Sequence, residues 1–203
     1  MKHETIEKNL GLMGIFIIFI ISLAGLAEIV PLFFQVETQK PMDGLKPLNA
    51  IQLEGRDIYI REGCHVCHTQ MVRSLYVDTK RYGRYSDASE HVYEHPFLWG
   101  SKRTGPDLAR IGGRYSDDWH RIHLRNPRLV VPGSKMPNYS HLKDNLVNFN
   151  QTSKKMLALK KVGVPYSEKE INSIEVLLKG KNEEDALVAY LQQLGTVLSI
   201  VKR

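Results

Sequence analysis

Hydrophobic residues are distributed unevenly along this chain. Between Leu10 and Phe34 only Ser22 and Glu28 are clearly polar. A helix of that length reaches roughly 37 Å at about 1.5 Å per residue, enough to cross a bilayer. From Gln35 to Leu48 the pattern breaks, and Pro41, Gly44 and Pro47 mark a linker. Ile51, Leu53, Ile58 and Ile60 then recur at helical spacing. Leu187, Val188, Tyr190, Leu191, Leu194 and Val197 give the stretch from Glu183 to Ile200 one strongly apolar face. Ser116-Asp117-Asp118-Trp119 has the chemistry of a helix N-terminus, for a helix that stops before Asn126-Pro127, with Trp119 expected in the core. Two further helices are expected over 151–162 and 167–179, around Gly163-Val164-Pro165, with Ser167 and Glu170 as a capping box. No chemical role attaches to the 138–182 stretch, which is expected to be structural or to make a contact outside this chain.

A cleaved signal peptide is the alternative reading of the first block, since Lys2 and Lys8 form a basic start and Gly25 and Ala27 are small residues ahead of a possible cut. The apolar run continues through Ile29, Val30, Leu32, Phe33 and Phe34, which favours a retained anchor. Glu28 either snorkels to the interface or meets a partner helix. Lys2 and Lys8 on one side balance Lys40 and Lys46 on the other, so these charges leave the orientation open.

Composition narrows the class. With 203 residues, 42% of them hydrophobic and 25% charged, collagen-like and fully disordered chains are excluded. Two cysteines exclude a disulfide scaffold. The net charge of +6 comes without a long basic block and is poor evidence for nucleic acid.

Both cysteines lie in Cys64-His65-Val66-Cys67-His68, the Cys-x-x-Cys-His attachment site of c-type haem. One short turn presents two thiols to the two vinyl groups of a haem, and the following His is placed to ligate the iron. A thioredoxin-like dithiol would need a βαβ context, and a four-thiolate zinc site would need a second Cys pair. Mixed zinc ligation with His91, His95, His120, His123 or His141 stays open, without a recognisable spacing. Haem c is attached outside the bacterial cytoplasmic membrane, which would put the C-terminal domain on the periplasmic side.

Met136 is the expected second axial ligand, because Pro132-Gly133-Ser134-Lys135-Met136-Pro137 is a Pro-bracketed loop of the kind that presents a thioether in class I cytochromes c. Met71 follows His68 too closely to reach the other face, Met42 is in the linker and Met156 sits in a Lys-rich stretch. Thr104-Gly105-Pro106-Asp107-Leu108 matches the class I pattern in which a loop carbonyl, here that of Pro106, accepts the free N–H of the proximal His, with Leu108 packed on the haem. In that class the terminal helix crosses the first helix of the haem domain, which makes Gly55 and Tyr190 a packing pair.

Tyr76, Tyr82, Tyr85, Tyr93, Phe97 and Trp99 are interleaved with Arg73, Lys80, Arg81, Arg84, Lys102 and Arg103. Base stacking is a conceivable use of such a stretch, but a haem domain outside the cytoplasm argues against nucleic acid. The strings Tyr82-Gly83-Arg84-Tyr85-Ser86, His95-Pro96-Phe97-Leu98-Trp99-Gly100-Ser101-Lys102-Arg103-Thr104-Gly105-Pro106-Asp107-Leu108 and Gly112-Gly113-Arg114-Tyr115-Ser116-Asp117-Asp118-Trp119-His120 resemble the mono-haem subunit II, FixO or CcoO, of cbb3-type cytochrome c oxidases. So do Met136-Pro137, Gly163-Val164-Pro165-Tyr166 and Ala189-Tyr190-Leu191-Gln192-Gln193-Leu194-Gly195.

The resemblance implies a mainly α chain: one N-terminal transmembrane helix, then a class I cytochrome c domain with an inserted helical segment. Residues 1–9 would be the cytoplasmic N-terminus, 10–34 the anchor, 35–48 the linker and 49–203 the periplasmic domain, in the bacterial inner membrane. It also implies one covalently bound haem c held by Cys64 and Cys67, ligated by His68 and Met136. The partners would be a catalytic oxidase subunit carrying haem b, haem b3 and copper, and a di-haem cytochrome c subunit. Trp99, Ser101, Lys102 and Arg103 would form a docking surface on the catalytic subunit, with Lys102 and Arg103 toward haem propionates. One anchor helix cannot house an oxygen-reducing centre, and a Cys pair committed to haem leaves no thiolates for a copper pair. The chain is then an electron relay. The rivals are the haem c subunit of another complex, such as nitric oxide reductase, and a membrane-anchored dithiol or zinc module without haem.

Overall fold

The computed structural model describes residues 3–35 and 40–198, apart from the side chain of Thr5. Lys2, residues 36–39 of the linker and the end of the terminal segment at Ile200 lie outside the described residues. The chain divides into two compact units, Met1–Lys40 and Pro41–Arg203.

In the first unit a short helix α1 (His3–Glu7) precedes α2 (Leu10–Ile29). Asn9 caps α2, its side-chain oxygen accepting from the Leu12 amide at 3.0 Å. The helix continues as a 3₁₀ turn over Val30–Phe34, where Pro31 removes a backbone donor. No residue of α2 is buried within the chain, although nearly all are apolar. Leu10–Phe34 is long and apolar enough to cross a membrane.

The second unit is helical. Its frame is α3 (Ala50–Arg61), the single turn α4 (Cys64–Cys67), α5 (Tyr76–Tyr82), α6 (Asp117–Arg125), α7 (Thr152–Lys161), α8 (Glu168–Asn172), α9 (Ile174–Leu178) and α10 (Glu183–Gln193). Asn49 and Gln52 form a reciprocal capping box at the start of α3. α3 and α10 cross at Gly55, where a Cβ would collide with the Ala186 carbonyl and press on the Cβ of Tyr190. The missing side chain is what lets the two backbones meet. Tyr59 and Tyr190 fill the crossing with ring centroids 5.5 Å apart, both essentially fully buried. This is the helix crossing expected of a class I cytochrome c domain.

Two expected helices are corrected. The segment 167–179 is two short helices broken at Ser173, whose hydroxyl donates to the Glu170 carbonyl and so competes with continued helix. The terminal helix ends at Gln193, because Leu194 turns extended and Gly195 takes φ +75. Gly195 lies so close to the Ala109 carbonyl that a side chain would not fit. The insertion proves to be core. Met156, Val164, Tyr166, Ile174 and Leu178 are buried. Thr152 and Lys155 of α7 both bond Glu54 on α3, at 2.5 and 2.9 Å, and the Tyr166 hydroxyl donates to the Leu48 carbonyl at 2.7 Å.

Candidate haem site

Glu62 caps the end of α3, and Gly63, at φ +70, reverses the chain into the one-turn helix that carries both cysteines. The His68 amide closes that turn on the Cys64 carbonyl at 2.8 Å. Cys64 is half-buried and Cys67 exposed, both as free thiols. Burial, with Glu62 nearby, pushes the Cys64 thiol up to about 12. It therefore stays protonated near neutral pH.

The His68 ring is held from behind. Its Nδ1 donates to the Pro106 carbonyl at 2.9 Å, and the Tyr59 hydroxyl donates to the His68 carbonyl at 2.9 Å. Backbone bonds from Gly105 to the Cys67 carbonyl (3.0 Å) and from Leu108 to the Thr69 carbonyl (2.8 Å) lace the two loops together. Gly105 lies flat on the imidazole, where a Cβ would run into the ring. Burial lowers the His68 pKa despite the Pro106 bond, so the ring is neutral, the form with a lone pair for a metal.

Cys64, Cys67, His68, Pro106, Leu108 and Met136 all line one cavity of about 500 Å³. That is within the usual range for cofactor sites. Met136 is presented by a mostly exposed loop whose Ser134 hydroxyl accepts from the Met136 amide at 3.2 Å. Met156, by contrast, is 1% exposed in the core. The donor set fits a haem: two thiols on one turn, a neutral His beside them, a thioether on the same cavity and otherwise largely apolar walls. Among the described residues, no group of three or more His, Cys, Asp and Glu side chains could hold a metal ion.

Trp119 is corrected from core to cavity wall. It is half-buried and stacks between Tyr115 (4.0 Å, 14°) and His123 (4.7 Å, 13°), a ladder of three rings spaced four residues apart that runs from just before α6 onto the helix. The spacing was visible in the sequence; the face it lies on was not. His120 and His123 also line the cavity, and burial lowers both their pKa values.

The four residues expected to dock on a partner lie outside the cavity lining and behave differently from one another. Ser101 and Lys102 are exposed. Trp99 is half-buried, packed edge-on against His91 at 5.6 Å and beside Phe97 at 5.2 Å. Arg103 is corrected: its side chain is 14% exposed and points inward to Asp78 and Asp107. Two buried carboxylates draw the guanidinium in, because each would be costly to leave unpaired. Sequence reading missed Asp107, whose carboxylate ties the two loops behind His68.

No curated protein matches this chain. The family described as "Cytochrome C oxidase, mono-heme subunit/FixO" matches residues 3–185, which takes in the apolar helix, the Cys-x-x-Cys-His turn and the Met136 loop. With a fold and a cavity that suit one haem, the chain belongs to this family of haem-carrying electron-transport subunits of cytochrome c oxidase.

Proposed function

We propose that this protein is the membrane-anchored mono-haem c subunit of a cbb3-type terminal oxidase. It passes electrons from a di-haem subunit or a soluble cytochrome c to the low-spin haem b of a catalytic subunit that also carries haem b3 and copper. The carrying observation is that Cys64, Cys67, His68 and Met136 line one cavity while Pro106 fixes the His68 ring from behind. Leu10–Phe34 holds the chain in the bacterial inner membrane, with the haem domain on the periplasmic side.

A haem bound there supplies one-electron cycling between ferrous and ferric iron. Cys64 and Cys67 would hold it through thioethers. His68 and Met136 would be its protein ligands, a pair that would keep substrate from the metal and leave little to rearrange on electron transfer. The Pro106 carbonyl keeps the proton on Nδ1 and leaves Nε2 for the iron. Leu108 and the Tyr115–Trp119–His123 face limit water in the cavity. Ser101 and Lys102 remain the exposed part of the docking surface.

The test uses the full chain purified in detergent. A haem-stained denaturing gel is expected to show a band at this chain's mass, and the intact oxidase is expected to carry a copper-containing catalytic subunit beside it. Bare protein on the gel would overturn covalent attachment; a non-haem iron partner that reduces nitric oxide would overturn the oxidase assignment.

A further inference from the structure

Arg103 lies at the centre of a polar array behind the haem cavity. Its Nε donates to Thr69 Oγ1 at 3.0 Å, Nη1 to Asp78 Oδ2 at 2.7 Å, and Nη2 to the Met71 carbonyl at 2.8 Å and Asp107 Oδ2 at 3.3 Å. The guanidinium also lies 5.3 Å from the Tyr82 ring centroid. Asp107, 4% exposed, accepts from Thr69 Oγ1 at 2.5 Å and the Met71 amide at 3.0 Å on one oxygen, and from the Ala109 amide at 2.8 Å on the other. Asp78 is shared with Arg73, whose Nε donates to it at 2.8 Å. Two guanidiniums thus balance two carboxylates.

The positions these bonds grip carry the argument. Thr69 follows His68 in the chain, and Asp107 follows Pro106. The hydrogen bond from His68 Nδ1 to the Pro106 carbonyl therefore has each of its ends one residue from the array. An apolar filling could stabilise two loops as well as buried charge does, because burying ions has a high desolvation cost. What directional bonds add is register, since a planar guanidinium donating to two loops at set angles allows few relative positions.

We propose that Arg103 and Asp107 are positioning residues for the proximal ligand: they hold the Thr69 and Asp107 segments so that the His68 imidazole stays aimed and its Nδ1 proton stays on the Pro106 carbonyl. This rests on His68 being the iron ligand, as set out under Proposed function. A looser Nδ1 bond makes the imidazole a poorer electron donor, so ferric iron is less favoured and the midpoint potential rises.

Two substitutions test this without changing net charge: Arg103→Lys, which keeps the cation and loses the planar fork, and Thr69→Val, which removes the hydroxyl between Arg103 and Asp107. The full chain in detergent, labelled with ¹⁵N-histidine and reduced, is compared with wild type by NMR exchange of the His68 Nδ1 proton and by redox titration. Exchange about tenfold faster, with a higher midpoint potential, is expected for both. If Arg103→Lys fails to fold, Thr69→Val carries the test alone. Unchanged exchange and potential in a folded, haem-loaded Thr69→Val protein would overturn the proposal, even if its melting temperature fell. Loss of oxidase assembly by Arg103→Lys, with the His68 signal unchanged, would assign the residue to docking instead. A wild-type chain without haem would instead defeat the underlying ligand assignment.

Discussion

The two sides of the cavity are built differently. Behind His68, two loops are laced by backbone bonds, a Gly that admits only the ring, and a charged array around Arg103 and Asp107. Around Met136 the loop is mostly exposed and rests on a few bonds, chiefly Ser134 to the Val131 carbonyl at 2.9 Å and Tyr139 to the Leu124 carbonyl at 2.8 Å. The difference teaches that His68 is fixed by bonds to its own ring and backbone, whereas Met136 lines the same cavity from a loop with few restraints. Pre-organisation is concentrated on one face.

Removing the thiols breaks the comparison outright. Cys64→Ser with Cys67→Ser is expected to abolish covalent haem, read as loss of the haem-stained band on a denaturing gel.

The next test acts on the rigid side. Gly105→Ala should press into the His68 ring, destabilise the loaded chain by about 1–3 kcal/mol in denaturant titration and broaden its low-spin spectrum. Gly55→Ala should cost at least as much, because the obstacle is the Ala186 backbone, but should disturb the spectrum less.

On the loose side, Met136→Ala should remove the low-spin spectrum and lower the potential while changing the stability of the haem-free chain by only about 1 kcal/mol. A stability loss as large as that of Gly105→Ala would erase the asymmetry.

The smallest expected effect lies away from the cavity. Arg61 donates twice to Glu183, at 2.6 and 2.7 Å, and holds its carboxyl below the usual range. The folded state then binds fewer protons than the unfolded one, so the stabilisation is present above the ordinary Glu value of 4.5 and fades as pH falls through the depressed value. Arg61 is half exposed, so the pair is worth only about 0.5 kcal/mol. Arg61→Gln should flatten the acid limb of a melting-temperature profile by that amount.

Much of this was legible because the signals are local. A Cys-x-x-Cys-His turn needs only five consecutive residues, the Gly55 packing pair follows from one missing side chain, and Ser116 and Ser167 cap their helices by bonds reaching three residues on. The failures share an opposite cause. Arg103 reads as outward because basic and aromatic residues surround it in sequence; Asp78, which draws it in beside the nearby Asp107, lies 25 residues away on α5. Trp119 was assigned to the core by its size, yet the α6 face that carries it borders the cavity.

By itself, then, the sequence determined the apolar span, the helical frame and the chemistry that suits a haem, since each depends on periodicity or on neighbours along the chain. Only the tertiary structure decided that Met136 shares a cavity with His68, that the 138–182 insertion forms core, and that Arg103 serves the interior. Those outcomes depend on which distant groups meet, and an unpaired buried charge finds its partner through space.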